Sequence, residues 1–182
     1  MTALDQIDLT MNDGSTAHLA DWHGKVVLVV NVASKCGLTG QYEGLEALYR
    51  ARQPDGLVVV GVPSNDFKAQ EPGSDAEILD FCRTTYDVTF PLTAKTPVSG
   101  DSRHPLYTAL TAAIPAAEGE GPWRTRLEGF GIAVNPAPEV QWNFEKFLIG
   151  RDGRVIARFA PDVAADDPRL TQALDRALAQ PA

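Results

Sequence analysis

The chain has 182 residues, 44% of them hydrophobic and 22% charged, which fits one domain with a substantial core. A formal net charge of −8 argues against nucleic acid and anionic membranes as partners. Two cysteines are too few for a disulfide scaffold or a zinc site of three or four thiolates, and no apolar run approaches the ~18 residues of a membrane-spanning helix. The opening "MTALDQIDLT" has neither the basic leader nor the apolar run of a secretory signal. The expected location is the cytoplasm, where thiols stay reduced unless they serve redox chemistry.

In chain order, the first predicted element is a hairpin, because short alternating segments flank the turn residues Asn12-Asp13-Gly14. "VVLVVNV" at 26–32 is almost wholly valine and leucine, the composition of a strand buried on both faces. After Gly37, residues Leu38, Tyr42, Leu45, Leu48 and Tyr49 recur at helical spacing until Pro54 and Gly56 stop the helix. A second apolar strand follows at 57–62, so strand, crossover helix and strand predict two parallel strands joined right-handedly. Ser74 with Glu77 three residues on is a capping box, and the helix it opens has Ile78, Phe81 and Cys82 on one face. "DVTFPL" at 87–92 reads as a short strand and "RHPLYTALTAA" at 103–113 as a short helix. The stretch 114–139 is rich in Gly and Pro without periodicity and reads as a long loop. "QWNFEKFLIGRDGRVIARFA" at 141–160 reads as a hairpin turning at Gly150-Arg151-Asp152-Gly153. The last helix starts near Asp167-Pro168 and buries Leu170, Leu174 and Leu178. The sum is an α/β protein with a mixed sheet and no internal repeat.

Cys36 falls where a buried strand ends and a helix is expected to start. Ligand sites in open α/β sheets gather at the carboxyl ends of strands. A helix N-terminus offers unpaired N–H groups and about half a positive charge. Both favour thiolate over thiol. Lys35 would add to this if its ammonium turns inward, and Gly37 leaves the approach open. The same position suits a small core hydrophobe that extends the strand, and the residues by themselves leave both readings open.

Three segments, "NVASKCGLT" at 31–39, "PSNDFKAQEPGS" at 63–74 and "WNFEKFLIGRDG" at 142–153, resemble the glutathione peroxidase family in order and spacing. The resemblance runs from about Val26 to Pro161. It implies a single thioredoxin-like domain over 1–182, a central mixed sheet flanked by helices with an N-terminal hairpin. It also implies an enzyme that reduces hydroperoxides, here a cysteine form with Cys36 in the peroxidatic position and Gln70, Trp142 and Asn143 as its catalytic partners. The chemistry fits: a thiolate attacks the peroxide O–O bond and becomes a sulfenate. Amide and indole N–H groups can stabilise the thiolate and the leaving oxygen without capturing the sulfur. Without the resemblance, Gln70, Trp142 and Asn143 read as a loop cap, a core aromatic and a turn residue.

Two positions depart from the family pattern. Asp66 stands where many members carry Gln, and a carboxylate facing Cys36 would oppose the thiolate; the expectation is that it faces solvent. Ser64 stands where cysteine is frequent, which removes one disulfide partner. Cys82 occupies the region of the resolving cysteine in the two-cysteine, thioredoxin-using branch, and the residues alone equally suit a core cysteine. His104 also belongs to the family pattern and is expected to open a helix, while His18 and His23 read as surface or turn residues.

The implied partners are a hydroperoxide and a thiol reductant, thioredoxin ahead of glutathione, with no other cofactor, no metal, no nucleic acid and no membrane. A monomer is favoured, although the stretch 107–142 is longer than in compact monomeric relatives. A general thiol–disulfide reductase is disfavoured because there is no C-x-x-C. The alternative from another class is a non-catalytic peroxide sensor or redox-binding module, which steady-state peroxide consumption separates from an enzyme.

Overall fold

In the computed structural model the described residues are 3–182. The chain enters through a small antiparallel hairpin, β1 (Leu9–Thr10) and β2 (Thr16–Ala17). Its turn contains Gly14 at φ +82°, and Asp13 accepts hydrogen bonds from the Ser15 amide and hydroxyl. Next comes β3 (Val26–Val32), in which every side chain is buried. Helix α1 (Gln41–Arg52) crosses over, and Gly56 at φ +103° ends the short turn behind it. The chain returns as β4 (Leu57–Pro63), again wholly buried and parallel to β3 over its full length.

Helix α2 (Asp75–Tyr86) begins with the predicted capping box, Ser74 accepting from the Glu77 amide while Glu77 accepts from the Ser74 amide. Helices α3 (Pro105–Ala113) and α4 (Glu120–Gly129) follow. Strands β5 (Lys146–Ile149) and β6 (Val155–Phe159) form the predicted hairpin. The last element is α5 (Pro168–Leu178), capped by Asp167 and buried through Leu170, Ala173, Leu174 and Ala177, with Leu178 only partly buried. The main sheet runs β4-β3-β5-β6, with β4 and β3 parallel at one edge and the other two pairs antiparallel. Helix α1 packs against β4 and α2, and α5 packs against β3. This is the thioredoxin-like arrangement expected. No helix among the described residues is long and apolar enough to cross a membrane.

Three expectations are corrected. Helix α1 starts at Gln41, and residues 37–40 form a turn instead of the first helical residues. The reason is local: Thr39 spends its hydroxyl on the loop before it, as described below, and two glycines weaken helix formation there. "DVTFPL" is not a strand, since only single bridges, Gly61 with Leu92 and Met11 with Thr93, tie this segment to its neighbours. Pro91, which has no N–H, interrupts any ladder there. The supposed loop 114–139 contains α4, held by Trp123 and Leu127, buried one turn apart, and by an ion pair from Arg124 to Glu120. Glycine and proline density hid that spacing.

Candidate active site

The chain leaves β3 at Val32, passes the buried Ala33 and turns. Thr39 sets the turn: its hydroxyl donates to the Ala33 carbonyl at 2.8 Å and accepts from the Cys36 amide at 3.0 Å. The Leu38 amide donates to the Cys36 sulfur at 3.4 Å, the one hydrogen bond that sulfur makes among the described residues. Cys36 is half-buried, beyond the strand end and five residues ahead of α1. Its N–H donor is therefore a turn amide, not the end of a regular helix. A Cβ placed on Gly37 would meet nothing within 4 Å, so the side of the turn next to the thiol is open.

Gln70 arrives from β4 by a strained route. Lys68 and Ala69 hold φ +55° and +52°, the left-handed region that costs a non-glycine residue ~1–2 kcal/mol. This turn is bound to the cysteine loop, because the Lys35 amide donates to the Gln70 carbonyl at 3.0 Å. The Ser34 hydroxyl donates to the Glu71 carboxylate at 3.1 Å in the same place. Burial raises the Glu71 carboxyl above its usual range, and the Ser34 hydroxyl works against that rise. Ser34, Lys35, Glu71, Ile78 and Phe81 line a cavity of about 380 Å³ between the cysteine loop and α2.

Trp142 and Asn143 come from the turn before β5. Asn143 is fully buried, and its Nδ2 donates to Gln70 Oε1 at 2.9 Å. That bond uses the oxygen of the Gln70 amide, and its Nε2 makes no hydrogen bond among the described residues. Trp142 is nearly buried and lies against Phe67, ring centroids 5.5 Å apart, three residues before Gln70. The structure thus joins Gln70 to Asn143 directly, and joins the Cys36 loop to Gln70 through the backbone. No hydrogen bond runs from the Cys36 sulfur to any of the three partner side chains.

Cys82 lies elsewhere. It is fully buried in the middle of α2 beside Ile78, and both cysteines are free thiols. Burial pushes the Cys82 thiol up to about 11; the neighbouring Tyr42 hydroxyl pulls the other way, and the Glu71 charge adds to the rise. The Asp66 carboxylate accepts from the amides of Val98 at 2.6 Å and Ser99 at 3.1 Å, and Asp66 lines a cavity together with Phe67 and Trp142. Ser64 is buried, and its hydroxyl accepts from the Asp66 amide. His104 caps α3, its Nδ1 accepting from the Leu106 amide. His18 and His23 pair with Asp8 and Asp5.

Sequence reasoning missed the residues that hold the Trp142–Asn143 turn. Asn31 Nδ2 donates to the Trp142 carbonyl at 2.9 Å, and the Phe144 amide donates to the Asn31 carbonyl at 2.6 Å. Lys146 is fully buried, and its Nζ donates to the Phe144 carbonyl at 2.5 Å and the Pro161 carbonyl at 3.2 Å. Burial brings this ammonium down to about 7, against the nearby carboxylates of Glu145, Asp162 and Asp167. One signal was available: Asn31 is the single polar residue in "VVLVVNV".

Fold and site together define a thioredoxin-like protein whose cysteine loop is tied to a Gln–Asn amide pair. Residues 4–111 match the glutathione peroxidase family. The thioredoxin/glutathione peroxidase BtuE of Escherichia coli (strain K12) is 48% identical over 170 residues, 92% of this chain and 93% of the relative. Hydroperoxy fatty acid reductase Gpx2 of Synechocystis is also 48% identical over 170 residues, 93% of this chain and 96% of the relative. Among solved structures, Trgpx in its apo form aligns with a TM-score of 0.71 at 36% identity, covering 100% of this chain and 99% of that one. A thiol:disulfide interchange protein from Chlorobium tepidum TLS, with a TM-score of 0.61 at 16% identity over 94% of this chain and 92% of that one, shares the fold alone. The chain belongs to the glutathione peroxidase family and is a glutathione peroxidase-like peroxidase.

Proposed function

We propose that Cys36 is the peroxidatic nucleophile and that Gln70, Trp142 and Asn143 serve its reaction. The Cys36 thiolate attacks the terminal peroxide oxygen, the O–O bond breaks, and the alkoxide or hydroxide takes a proton and leaves as alcohol or water. Cys36 is left as a sulfenic acid. The observation that carries this reading is the amide pair: with Gln70 Oε1 engaged by Asn143, the free donor on Gln70 is its NH₂ group, on a turn bound to the cysteine loop. A preorganised N–H is the kind of group that stabilises charge developing on the departing oxygen. The names of the relatives, a peroxidase and a hydroperoxy fatty acid reductase, support peroxides as the substrate class, fatty-acid hydroperoxides among them.

For the return to thiol, the Cys82 thiol attacks the Cys36 sulfenic acid, releasing water and forming a disulfide. A dithiol thioredoxin then reduces it in two exchange steps. The buried Cys82 has to leave the core first, since a disulfide needs Cα atoms within about 7 Å and sulfurs in contact. That burial favours a second reading, in which glutathione reduces the sulfenic acid directly and Cys82 stays in the core. We place the reaction in the cytoplasm, where a transient catalytic disulfide is reduced after each turn.

The test is hydroperoxide turnover with thioredoxin or glutathione as the sole donor, in wild type, Cys36→Ser and Cys82→Ser. Loss of all turnover in a folded Cys36→Ser is expected. Thioredoxin-supported turnover should vanish in Cys82→Ser while the first oxidation of Cys36 persists. Normal thioredoxin turnover in Cys82→Ser would assign Cys82 to packing alone. Peroxide turnover in Cys36→Ser would overturn the whole reading.

A further inference from the structure

The turn that presents Asn143 does not hold itself. Phe144 sits at φ +68°, a conformation that L side chains avoid and that persists only where the surroundings over-determine it. Three backbone groups of residues 142–144 are each held by a partner outside the turn. The Trp142 carbonyl accepts from the Asn31 side chain, the Phe144 amide donates to the Asn31 carbonyl, and the Phe144 carbonyl accepts from Lys146 Nζ. The Phe144 ring, fully buried, stands edge-on to Tyr42 at 5.5 Å, so the side chain is fixed as well as the backbone.

The register explains why these two residues do it. The antiparallel pairing of β3 and β5 ends with Val30 opposite Lys146. Asn31 is therefore the next residue on one strand, and Lys146 is the last paired residue on the other. A regular ladder would continue through Glu145. Instead the chain bends, Phe144 reaches the Asn31 carbonyl, and Asn143 is thrown toward Gln70. Both Asn31 and Lys146 are fully buried, and neither is among the residues proposed to touch peroxide.

We propose that Asn31 and Lys146 are positioning residues: they clamp the left-handed turn at Phe144 so that Asn143 meets Gln70, and through that pair they set the speed of Cys36 oxidation. The proposal rests on the assignment of Gln70 and Asn143 to the site. Their spacing matters because small displacements of a reacting group are expensive in rate, on the order of 10²-fold for about 1 Å.

A double-mutant cycle on the stopped-flow rate of Cys36 oxidation by hydrogen peroxide tests this. Asn31→Ala and Lys146→Met should each slow oxidation by roughly 10- to 100-fold. Neither should slow it further in an Asn143→Ala background, because a residue acting through Asn143 has nothing left to position. Alkylation of Cys36 by iodoacetamide, which needs no amide pair, should proceed at the wild-type rate in both. If Asn31→Ala does not fold, Lys146→Met carries the same cycle from the other strand, since an apolar replacement of a buried charge is often tolerated. Equal slowing with and without Asn143 would overturn the proposal, as would an unchanged rate in the single variants while Asn143→Ala is slow. Wild-type oxidation in Asn143→Ala itself would instead remove the site assignment, so the two failures are distinct.

Discussion

Asn143 Nδ2 donates to Gln70 Oε1 at 2.9 Å, a bond between side chains 73 positions apart in the chain. It settles which way the Gln70 amide faces, because the oxygen is used and the NH₂ is left over. Gln70→Ala should therefore slow Cys36 oxidation by about 10²–10³, the cost of losing one oriented donor. Asn143→Ala should cost less, since the donor remains but turns freely. Asn143→Asp is the sharper variant: a carboxylate there draws the Gln70 NH₂ to itself, and the rate should fall to that of Gln70→Ala. Stopped-flow oxidation of the three variants at equal peroxide orders them, and an Asn143→Asp rate close to wild type would contradict the orientation argument.

Lys146 makes stability depend on pH in the neutral to alkaline range. Its folded value is lowered to about 7, from the 10.5 of an exposed lysine. Between these values the unfolded chain binds the proton and the folded chain does not, so stability rises with pH across the window and is flat below it. The rise attributable to Lys146 between pH 7 and pH 9 should be about 2 kcal/mol. Lys146→Met should lack it. Urea midpoints at the two pH values, compared between wild type and variant, give the difference directly.

Cys82 acts with the opposite sign at higher pH. Its folded value is raised to about 11 from a reference of 9.0. Its contribution is present below pH 9 and is lost as pH rises toward 11, because the unfolded chain gives up the proton first. The loss between pH 9 and pH 10.5 should be about 1.5 kcal/mol, and Cys82→Ala should not show it. Subtracting the variant's urea midpoints at pH 9 and pH 10.5 from those of wild type cancels the tyrosines that ionise in the same range.

Asp66 has a local structural task. Its carboxylate takes two amides, those of Val98 and Ser99, at the start of the loop that leads to α3. Asp66→Ala should lower stability by about 1–2 kcal/mol, below the ~1.5–3 kcal/mol of hydrogen bonds to a charged group because Asp66 is exposed to solvent. The oxidation rate of Cys36 should stay within twofold of wild type. A large rate change would mean that the Val98–Ser99 contact reaches the site.

The sequence carried most of the scaffold because its strongest features are local. A continuous apolar run marks β3, Ser74 and Glu77 mark the start of α2, and Asp167-Pro168 marks that of α5. Where the deciding contact is distant, reading failed. Trp123 and Leu127 build α4 by burying themselves in a core that the sequence does not display. The site divides the same way. Cys36, Gln70, Trp142 and Asn143 lie in quotable motifs, but the bond between Gln70 and Asn143 is tertiary. So is the work of Asn31, and with it that of Lys146; both look like polar intrusions into apolar strands until the register brings them to the two sides of the Phe144 turn.

β3 carries both halves of the site: it runs out toward Cys36, and its Asn31 holds the turn at 142–144. It is also one of the two interior strands, with a partner on each side, β4 and β5, and no exposed side chain. Strands of this kind open only with the whole molecule. Warming the protein therefore offers no inexpensive state in which Cys36 and the Gln70–Asn143 amides drift apart while the rest stands. Heat inactivation should coincide with the loss of far-ultraviolet ellipticity, and a protein cooled before that point should recover its full peroxide rate.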